Sequence, residues 1–177
     1  VHYIFVTKVA MDVEIGATTL DGSKIAPTSA WTITCCQGTA TSGATGVWNC
    51  DSAAQKAAMF DGKLDSNCWY AANASYSWGN GGNFIITLDK AYDINGFRWH
   101  IYYEDSNPEC TDFQYSEDGT NWYSLTNEIS FVPKLSADNW KIFQFKKTVK
   151  ARYLRVYVGR VTDFTSMNEA EIFAPAN

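Results

Sequence analysis

The chain has 177 residues, of which 46% are hydrophobic and 19% are charged, and its formal net charge is −5. These values describe a folded domain with a sizeable core and exclude a disordered segment. The negative charge argues against nucleic acid or an anionic membrane as the main partner, and no apolar run is long enough to span a bilayer.

The first 23 residues differ from the rest of the chain. Residues 1–6 (V-H-Y-I-F-V) have the composition of a strand, and a connector rich in Gly, Thr and Ser follows them. We predict that residues 1–23 are the terminal strand of a preceding domain, or an added strand, plus a linker. Residues 24–177 are then the main domain. Because the chain opens on a strand, we expect the natural polypeptide, with any signal peptide, to extend further toward the N-terminus.

Short alternating runs dominate the main domain. After a short helix expected within residues 52–60, apolar side chains recur at every second position, which places each set on one face of a strand. An Asp-Gly pair at Asp118 and Gly119 predicts a hairpin turn. The fold class predicted is all-β, an antiparallel β-sandwich of jelly-roll type. The apolar sets are Phe84, Ile86 and Leu88; Phe97, Trp99 and Ile101; Phe143 and Phe145; and Leu154, Val156 and Val158.

The five cysteines do not form a simple disulfide framework, because an odd count leaves at least one thiol free. Their spacings, with only two histidines, do not match a zinc site of ordinary pattern. Two alternatives stand: all five are free and mostly buried, or one disulfide such as Cys36–Cys50 forms.

Four segments in a fixed order carry a resemblance to a known family. They are residues 57–69 (A-A-M-F-D-G-K-L-D-S-N-C-W), 113–122 (F-Q-Y-S-E-D-G-T-N-W), 151–158 (A-R-Y-L-R-V-Y-V) and 167–173 (M-N-E-A-E-I-F). Their order resembles the discoidin domain, also called the coagulation factor V/VIII C-type domain, and is most similar to bacterial family 32 carbohydrate-binding modules. The resemblance spans roughly residues 25–173 and implies a galactose-binding-domain-like fold with a non-catalytic, glycan-binding role.

The resemblance also implies a structural calcium ion where the first loop meets the last strand. Calcium prefers six to eight hard oxygen ligands, several of them carbonyls of a tightly wound loop. The alternative is that Asp61 and Gly62 form only a turn and that Glu171 is a solvated strand residue. The implied ligands are the carbonyls of Ala58, Lys63 and Ala170, the carboxylates of Asp61 and Glu171, and the oxygens of Ser66.

In this family the sugar lies on loops at one end of the sandwich. Pyranose rings stack on aromatic side chains, and their hydroxyls need fixed donors and acceptors. Tyr70 and Tyr102-Tyr103 stand where galactose-binding members tend to have His and Arg, so galactose specificity stays open. We expect His100, on a strand, to be structural. The candidate ligand residues are Tyr70, Trp78, Tyr103, Glu104, Asn107, Glu109 and Phe164; in the alternative interpretation, Trp78 and Phe164 only plug the ends of the sandwich.

Two other functions compete with glycan binding. An enzyme could use paired carboxylates, such as Glu104 with Asp105 or Asp163 with Glu169, but no nucleophile elbow is present and we predict no catalysis. A protein-binding adhesion or scaffold domain of a larger surface protein is the second alternative. The prediction is therefore a secreted or cell-surface bacterial lectin module that acts beside neighbouring domains of the same polypeptide.

Overall fold

The structure is a computed structural model, and it describes residues 20–36, 48–49, 53–64, 69–71, 83–101, 110–125, 127–132, 139–158 and 165–176. No helix in these ranges is long and apolar enough to cross a membrane. The elements are β1 (Ser23–Lys24), β2 (Thr32–Cys36), β3 (Trp48–Asn49), α1 (Ala53–Ala58), β4 (Trp69–Ala71), β5 (Asn83–His100), β6 (Cys110–Ser116), β7 (Tyr123–Ser124), β8 (Ile129–Val132), β9 (Trp140–Val158), β10 (Thr165–Met167) and β11 (Glu169–Ala174).

The two longest strands, β5 and β9, bend so that one sheet folds over itself. β5 has 18 residues, and a straight strand of this length would separate Phe84 from Trp99 by about 50 Å. Their ring centroids are instead 5.4 Å apart. The pairing of β5 with β9 shifts register between Thr87 and Tyr92, which is where the strands bend. The sheet therefore supplies both layers of a sandwich.

Each layer contains half of β5 and half of β9. Layer one has the strand order β2-β5-β9-β6-β7 and layer two the order β1-β11-β5-β9-β8, with antiparallel pairing throughout. Phe113 of layer one contacts Phe97 and Phe143 of layer two, at 5.6 and 5.5 Å between ring centroids. A small separate sheet has the order β10-β4-β3. The prediction of an all-β antiparallel sandwich is confirmed.

The core contains the side chains that the period-two pattern assigned to it. Leu154 and Val156 are fully buried, and so are the alternating residues of both halves of β5. The expected short helix is also confirmed as α1. It leads into Met59 and Phe60, which are buried, and Phe60 meets Trp31 edge to face at 5.7 Å. The Ala170 amide of β11 donates to the Met59 carbonyl at 2.8 Å. The segment after α1 therefore contacts Trp31, just before β2, on one side and β11 on the other.

The sandwich has two ends that differ in their connections. The turn end contains the bend of β5 near Asp89 and the turn that joins β6 to β7, around Asp118. The loop end contains the first residue of β5, Asn83, and its last residue, His100, which lie together because Phe84 contacts Trp99 across the layers. The predicted Asp-Gly hairpin is confirmed, since β6 and β7 pair antiparallel across it and Gly119 has a φ of 76°.

The predicted boundary between residues 23 and 24 falls within β1, which pairs with β11 at the edge of layer two. Just before it, the Asp21 amide donates to Gln144 Oε1 at 2.8 Å. Residues 1–19 lie outside the described ranges, so the two-unit division stays a prediction.

Candidate functional site

The structure brings together the strand ends that carry the predicted ligand loops. Residues 72–82 connect β4 to β5, and residues 159–164 connect β9 to β10. Asn83 pairs with Tyr157 at one pair of ends, and Ala71 pairs with Thr165 at the other. The two loops are therefore anchored side by side at both of their ends. The third loop, residues 102–109, returns at Cys110, which pairs with Val158.

Six of the candidate ligand residues fall in these three loops, and the seventh falls in the strand before the first loop. Tyr70 lies in β4, the middle strand of the small sheet, where its backbone pairs with Ser166 and Asn49. The other six lie outside the described residues, so their roles stay predictions: Trp78, Tyr103, Glu104, Asn107, Glu109 and Phe164.

Buried polar side chains concentrate at the loop end. His100 is buried, and its Nδ1 lies 2.7 Å from Asn168 Oδ1. The edge of its ring meets Trp140 at 5.2 Å between centroids. These contacts are those of a structural histidine, as the sequence led us to expect. Of the seven polar or charged residues that are buried in the described ranges, five lie here: Asn83, His100, Lys141, Asn168 and Glu169.

Lys141 is an inward-facing lysine that sequence reasoning missed. Its side chain is 2% exposed, and Nζ lies 5.7 Å from the centroid of the Trp99 ring. The signal was present, because the run W-K-I-F-Q-F places Lys141 on the same strand face as Phe143 and Phe145. A buried charge must be compensated by nearby polar groups. The part of the core next to the loop end is therefore more polar than the rest.

The residues implied as calcium ligands come from two segments that the structure places in contact. The hydrogen bond from the Ala170 amide to the Met59 carbonyl joins the segment containing Ala58, Asp61 and Lys63 to the start of β11. Ser66 lies outside the described residues. Asp61 Oδ1 accepts a hydrogen bond from the Lys63 amide at 2.9 Å, which tightens the loop.

The two glutamates of β11 have different surroundings. Glu171 forms ion pairs with Lys24 at 2.8 Å and with Arg98 at 2.5 Å, one through each carboxylate oxygen. Glu169 instead points toward the loop and accepts a hydrogen bond from the Gly62 amide at 3.0 Å. Its side chain is 1% exposed.

Burial raises the pKa of Glu169 to about 7, and the nearby charges of Glu171 and Asp61 act in the same direction. A desolvated carboxylate beside other acidic groups and a carbonyl-rich loop has the donor chemistry that a hard cation prefers, so these residues fit calcium. Within the described ranges, no three His, Cys, Asp or Glu side chains approach closely enough to bind a metal without backbone ligands. The alternation of E-A-E could have indicated Glu169, because it puts both glutamates on one strand face.

The model of one protein family, the F5/8 type C domain, matches residues 37–171. The chain belongs to this family. Solved structures share the fold. An F5/8 type C domain from Bacteroides fragilis has a TM-score of 0.62 and 17% identity, and the match covers 89% of this chain and 99% of that one.

Two carbohydrate-binding modules from Clostridium perfringens also have the fold of this F5/8 type C domain. CpGH89CBM32-5, solved in complex with GalNAc-β-1,3-galactose, has a TM-score of 0.56 and 20% identity, with 86% of this chain and 100% of that chain covered. CBM32-1 of a family 31 glycoside hydrolase has a TM-score of 0.56 and 17% identity, with 81% and 94% covered. No curated protein matches the chain. The predicted family and its galactose-binding-like sandwich are thus confirmed.

Proposed function

We propose that this F5/8 type C domain is a non-catalytic carbohydrate-binding module whose glycan site lies at the loop end. The observation that carries the proposal is the shared anchoring of the two loops at Ala71 with Thr165 and at Asn83 with Tyr157. Loops held side by side on a rigid sheet can present a shallow, preformed surface. The relative that was solved with GalNAc-β-1,3-galactose supports this choice of ligand class.

Stacking and hydrogen bonding make different contributions to sugar binding at such a site. Aromatic rings pack against the apolar faces of the sugar, while carboxylates and amides orient its hydroxyl groups. A shallow contact of this kind binds weakly by itself and gains strength when neighbouring domains bind the same glycan. The proposed contacts are the rings of Tyr70, Trp78, Tyr103 and Phe164 and the polar groups of Glu104, Asn107 and Glu109. Galactose-type sugars are the first candidates.

We further propose that a structural calcium ion joins the loop after α1 to β11. Its ligands would be the carbonyls of Ala58, Lys63 and Ala170, the carboxylate of Asp61 and the oxygens of Ser66. A glutamate of β11 would complete the site. The family pattern favours Glu171, whereas the contact with Gly62 supports Glu169. When bound, the ion supplies charge compensation and crosslinks two segments that are distant in sequence.

The setting that fits this function is a secreted or cell-surface bacterial protein with further domains. Glycans are presented outside cells, and a module without catalytic groups of its own acts through the domains that it positions. The glycan itself, rather than nucleic acid or a membrane, is the proposed partner.

A glycan-array screen of the purified domain in calcium, repeated in chelator, tests the function. We expect a defined set of hits, with terminal galactose or N-acetylgalactosamine prominent. The hits should weaken in chelator, together with a lower melting temperature. A blank array from a well-folded sample would overturn the proposal and favour a protein-binding adhesion or scaffold domain.

Matched aromatic substitutions locate the site. Trp78→Ala and Phe164→Ala should each weaken binding of an array hit with little change in melting temperature. The control is Tyr123→Ala, because Tyr123 is 56% exposed and lies outside the loop end. If both loop variants lose stability but keep their glycan affinity, the two rings are plugs of the sandwich and not ligand contacts.

A further inference from the structure

The outer face of layer one carries an unusual group of side chains, which we call the arginine face: Gln114, Trp122, Tyr153, Arg155 and Tyr157. Because Leu154 and Val156 are buried, the alternate residues Tyr153, Arg155 and Tyr157 point away from the core. All five side chains of the arginine face are half-buried. Aromatic rings on the outer side of a sheet fill no core and call for another explanation.

Arg155 is held in a fixed orientation at the centre of this face. Its Nε donates to Gln114 Oε1 at 2.9 Å, and Nη2 donates to the same oxygen. The guanidinium carbon lies 3.8 Å from the centroid of the Trp122 ring and 5.3 Å from that of Tyr157. The Gln114 amide therefore occupies one edge of the guanidinium, and both rings lie within cation–π distance of it.

No carboxylate neutralises Arg155 in the described part of the chain. Asp112 precedes Gln114 by two residues on β6, and its carboxylate accepts hydrogen bonds from the Gln114 amide at 2.6 Å and the Ser124 hydroxyl at 2.7 Å. Arg152 adds a second positive charge beside the Tyr153 ring, at 5.4 Å, and its Nε donates to a backbone carbonyl, that of Leu88. Gln114 stands between Arg155 and Asp112, because its Oε1 accepts from the guanidinium and its Nε2 donates to the carboxylate. Among the described residues the guanidinium therefore has no direct carboxylate partner.

We propose that the arginine face is a second binding site, and that it takes oligosaccharides containing uronic acids. A guanidinium has five N–H donors, and the edge that Gln114 leaves open has the spacing to bind a carboxylate through two parallel hydrogen bonds. Trp122 and Tyr157 lie close to the guanidinium, so a sugar bound there would bring its C–H groups near aromatic rings. A neutral sugar would leave the charge unmatched.

The side chains of this site are not those of the glycan site proposed at the loop end, although the Tyr157 backbone also anchors that end by pairing with Asn83. The arginine face is built from β6, β9 and the turn that follows β6, with no residue from the three loops. An acidic chain lying along β9 would extend from Tyr157 to Tyr153.

Calorimetric titration with a short oligogalacturonate tests the proposal, with a neutral galacto-oligosaccharide of the same length as the second ligand. All titrations use one low calcium concentration, since the acidic ligand itself binds calcium. We expect wild type to bind the acidic ligand, more weakly as salt is added. Arg155→Gln should lower that affinity about tenfold or more. The charge-matched control is Lys147→Gln, because Lys147 is exposed and pairs only loosely with Glu128 at 3.9 Å; it should leave the affinity unchanged.

Two further variants keep the test decisive. If Arg155→Gln proves unstable, Arg155→Lys retains the charge but loses the planar fork, and we expect it to bind the acidic ligand several-fold more weakly. Phe164→Ala should not affect this ligand.

The proposal is overturned by any of four results. These are no binding of oligogalacturonate, equal binding of the neutral ligand, equal losses in Arg155→Gln and Lys147→Gln, or a parallel loss in Phe164→Ala, which would put the acidic sugar at the loop end.

Discussion

The two ends of the sandwich satisfy their polar groups in opposite ways. At the turn end, the Asp118 carboxylate accepts hydrogen bonds from the amides of Thr120 and Asn121, each at 2.8 Å. These bonds lower the pKa of Asp118 well below its ordinary range. At the loop end, Glu169 and His100 bind Gly62 and Asn168, which are far from them in sequence.

The turn end depends on contacts between residues that are close in sequence, whereas the loop end depends on contacts between residues that are distant in sequence. A turn whose acceptor and donors lie within three residues of one another is favoured by that short segment alone. The loop end forms only once the sandwich has closed, and it keeps charged groups away from water at a cost in stability. The turn end is held by local hydrogen bonds, whereas the loop end contains buried polar groups joined by long-range contacts.

The pH dependence of stability gives the largest expected contrast. The pKa of Glu169 is raised from 4.5 to about 7, so in chelator the protonated form is favoured by folding. This contribution is complete below about pH 4.5 and is lost as the pH rises through about 7. We expect a loss of as much as about 3 kcal/mol in the free energy of unfolding by about pH 8, measured by urea denaturation. Glu169→Gln should flatten this change; an unchanged slope in that variant would assign it to another group.

Bound calcium should offset the loss of stability that ionised Glu169 causes at the loop end. An ion that binds only the folded state adds about 2.7 kcal/mol at a concentration one hundred times its Kd. We expect thermal denaturation to show this increment in wild type and in Glu117→Gln, an exposed glutamate at the turn end. Glu169→Gln should lose most of it.

Glu171→Gln decides which glutamate binds the ion. It breaks the ion pairs with Lys24 and Arg98, so it should lower stability equally with calcium and with chelator. If the calcium increment vanishes in Glu171→Gln but persists in Glu169→Gln, the ligand is Glu171 and the geometric argument for Glu169 is wrong.

Removing the acceptor at the turn end should have a moderate and purely structural effect. Asp118→Ala leaves two turn amides without their partner, which should cost about 1–2 kcal/mol in urea denaturation. Asp118→Asn keeps one acceptor oxygen and should cost less. Neither change should alter glycan affinity or the calcium increment. A loss of glycan binding in either variant would show that the two ends are coupled.

The smallest effect is expected at the ion pair between Lys150 and Glu117. The two groups are 3.8 Å apart and both are more than half exposed, so water and salt screen their attraction. Lys150→Ala should change the free energy of unfolding by less than about 0.5 kcal/mol. A change well above that value would mean that the turn end depends on charge and not only on its backbone hydrogen bonds.

Sequence patterns predicted the features that depend on neighbouring residues: strand faces, a turn and a short helix. The period-two runs located the inward faces of β5 and β9, the Asp-Gly pair located the hairpin turn, and residues 52–60 contained the short helix. The bend of β5 could not be predicted in this way. Nothing within a strand of 18 residues specifies that Phe84 will meet Trp99; only closure of the sandwich brings the rings together.

The calcium site stays a proposal, and the structure bears only on the contacts of its segments. The resemblance placed the site between the loop after α1 and the strand β11, which are in contact, with Glu171 as a ligand. The structure adds that Glu171 is paired with Lys24 and Arg98. Lys24 and Arg98 are distant from Glu171 in sequence, so the segment M-N-E-A-E-I-F alone could not predict these ion pairs. The contact between Arg155 and Trp122 could not be predicted for the same reason.

The short strand β1 also determines how the domain responds to force. Ser23 and Ala174 are paired at one edge of layer two, so tension applied between these two points acts across the strand pair and opens its hydrogen bonds one after another. Hydrogen bonds that open one after another resist less force than hydrogen bonds that are loaded together along the strands. Peeling β1 would also remove Lys24 from Glu171, which leaves another negative charge beside Glu169. Mechanical load at this edge would thus change the electrostatics of the loop after α1 before the core is disturbed.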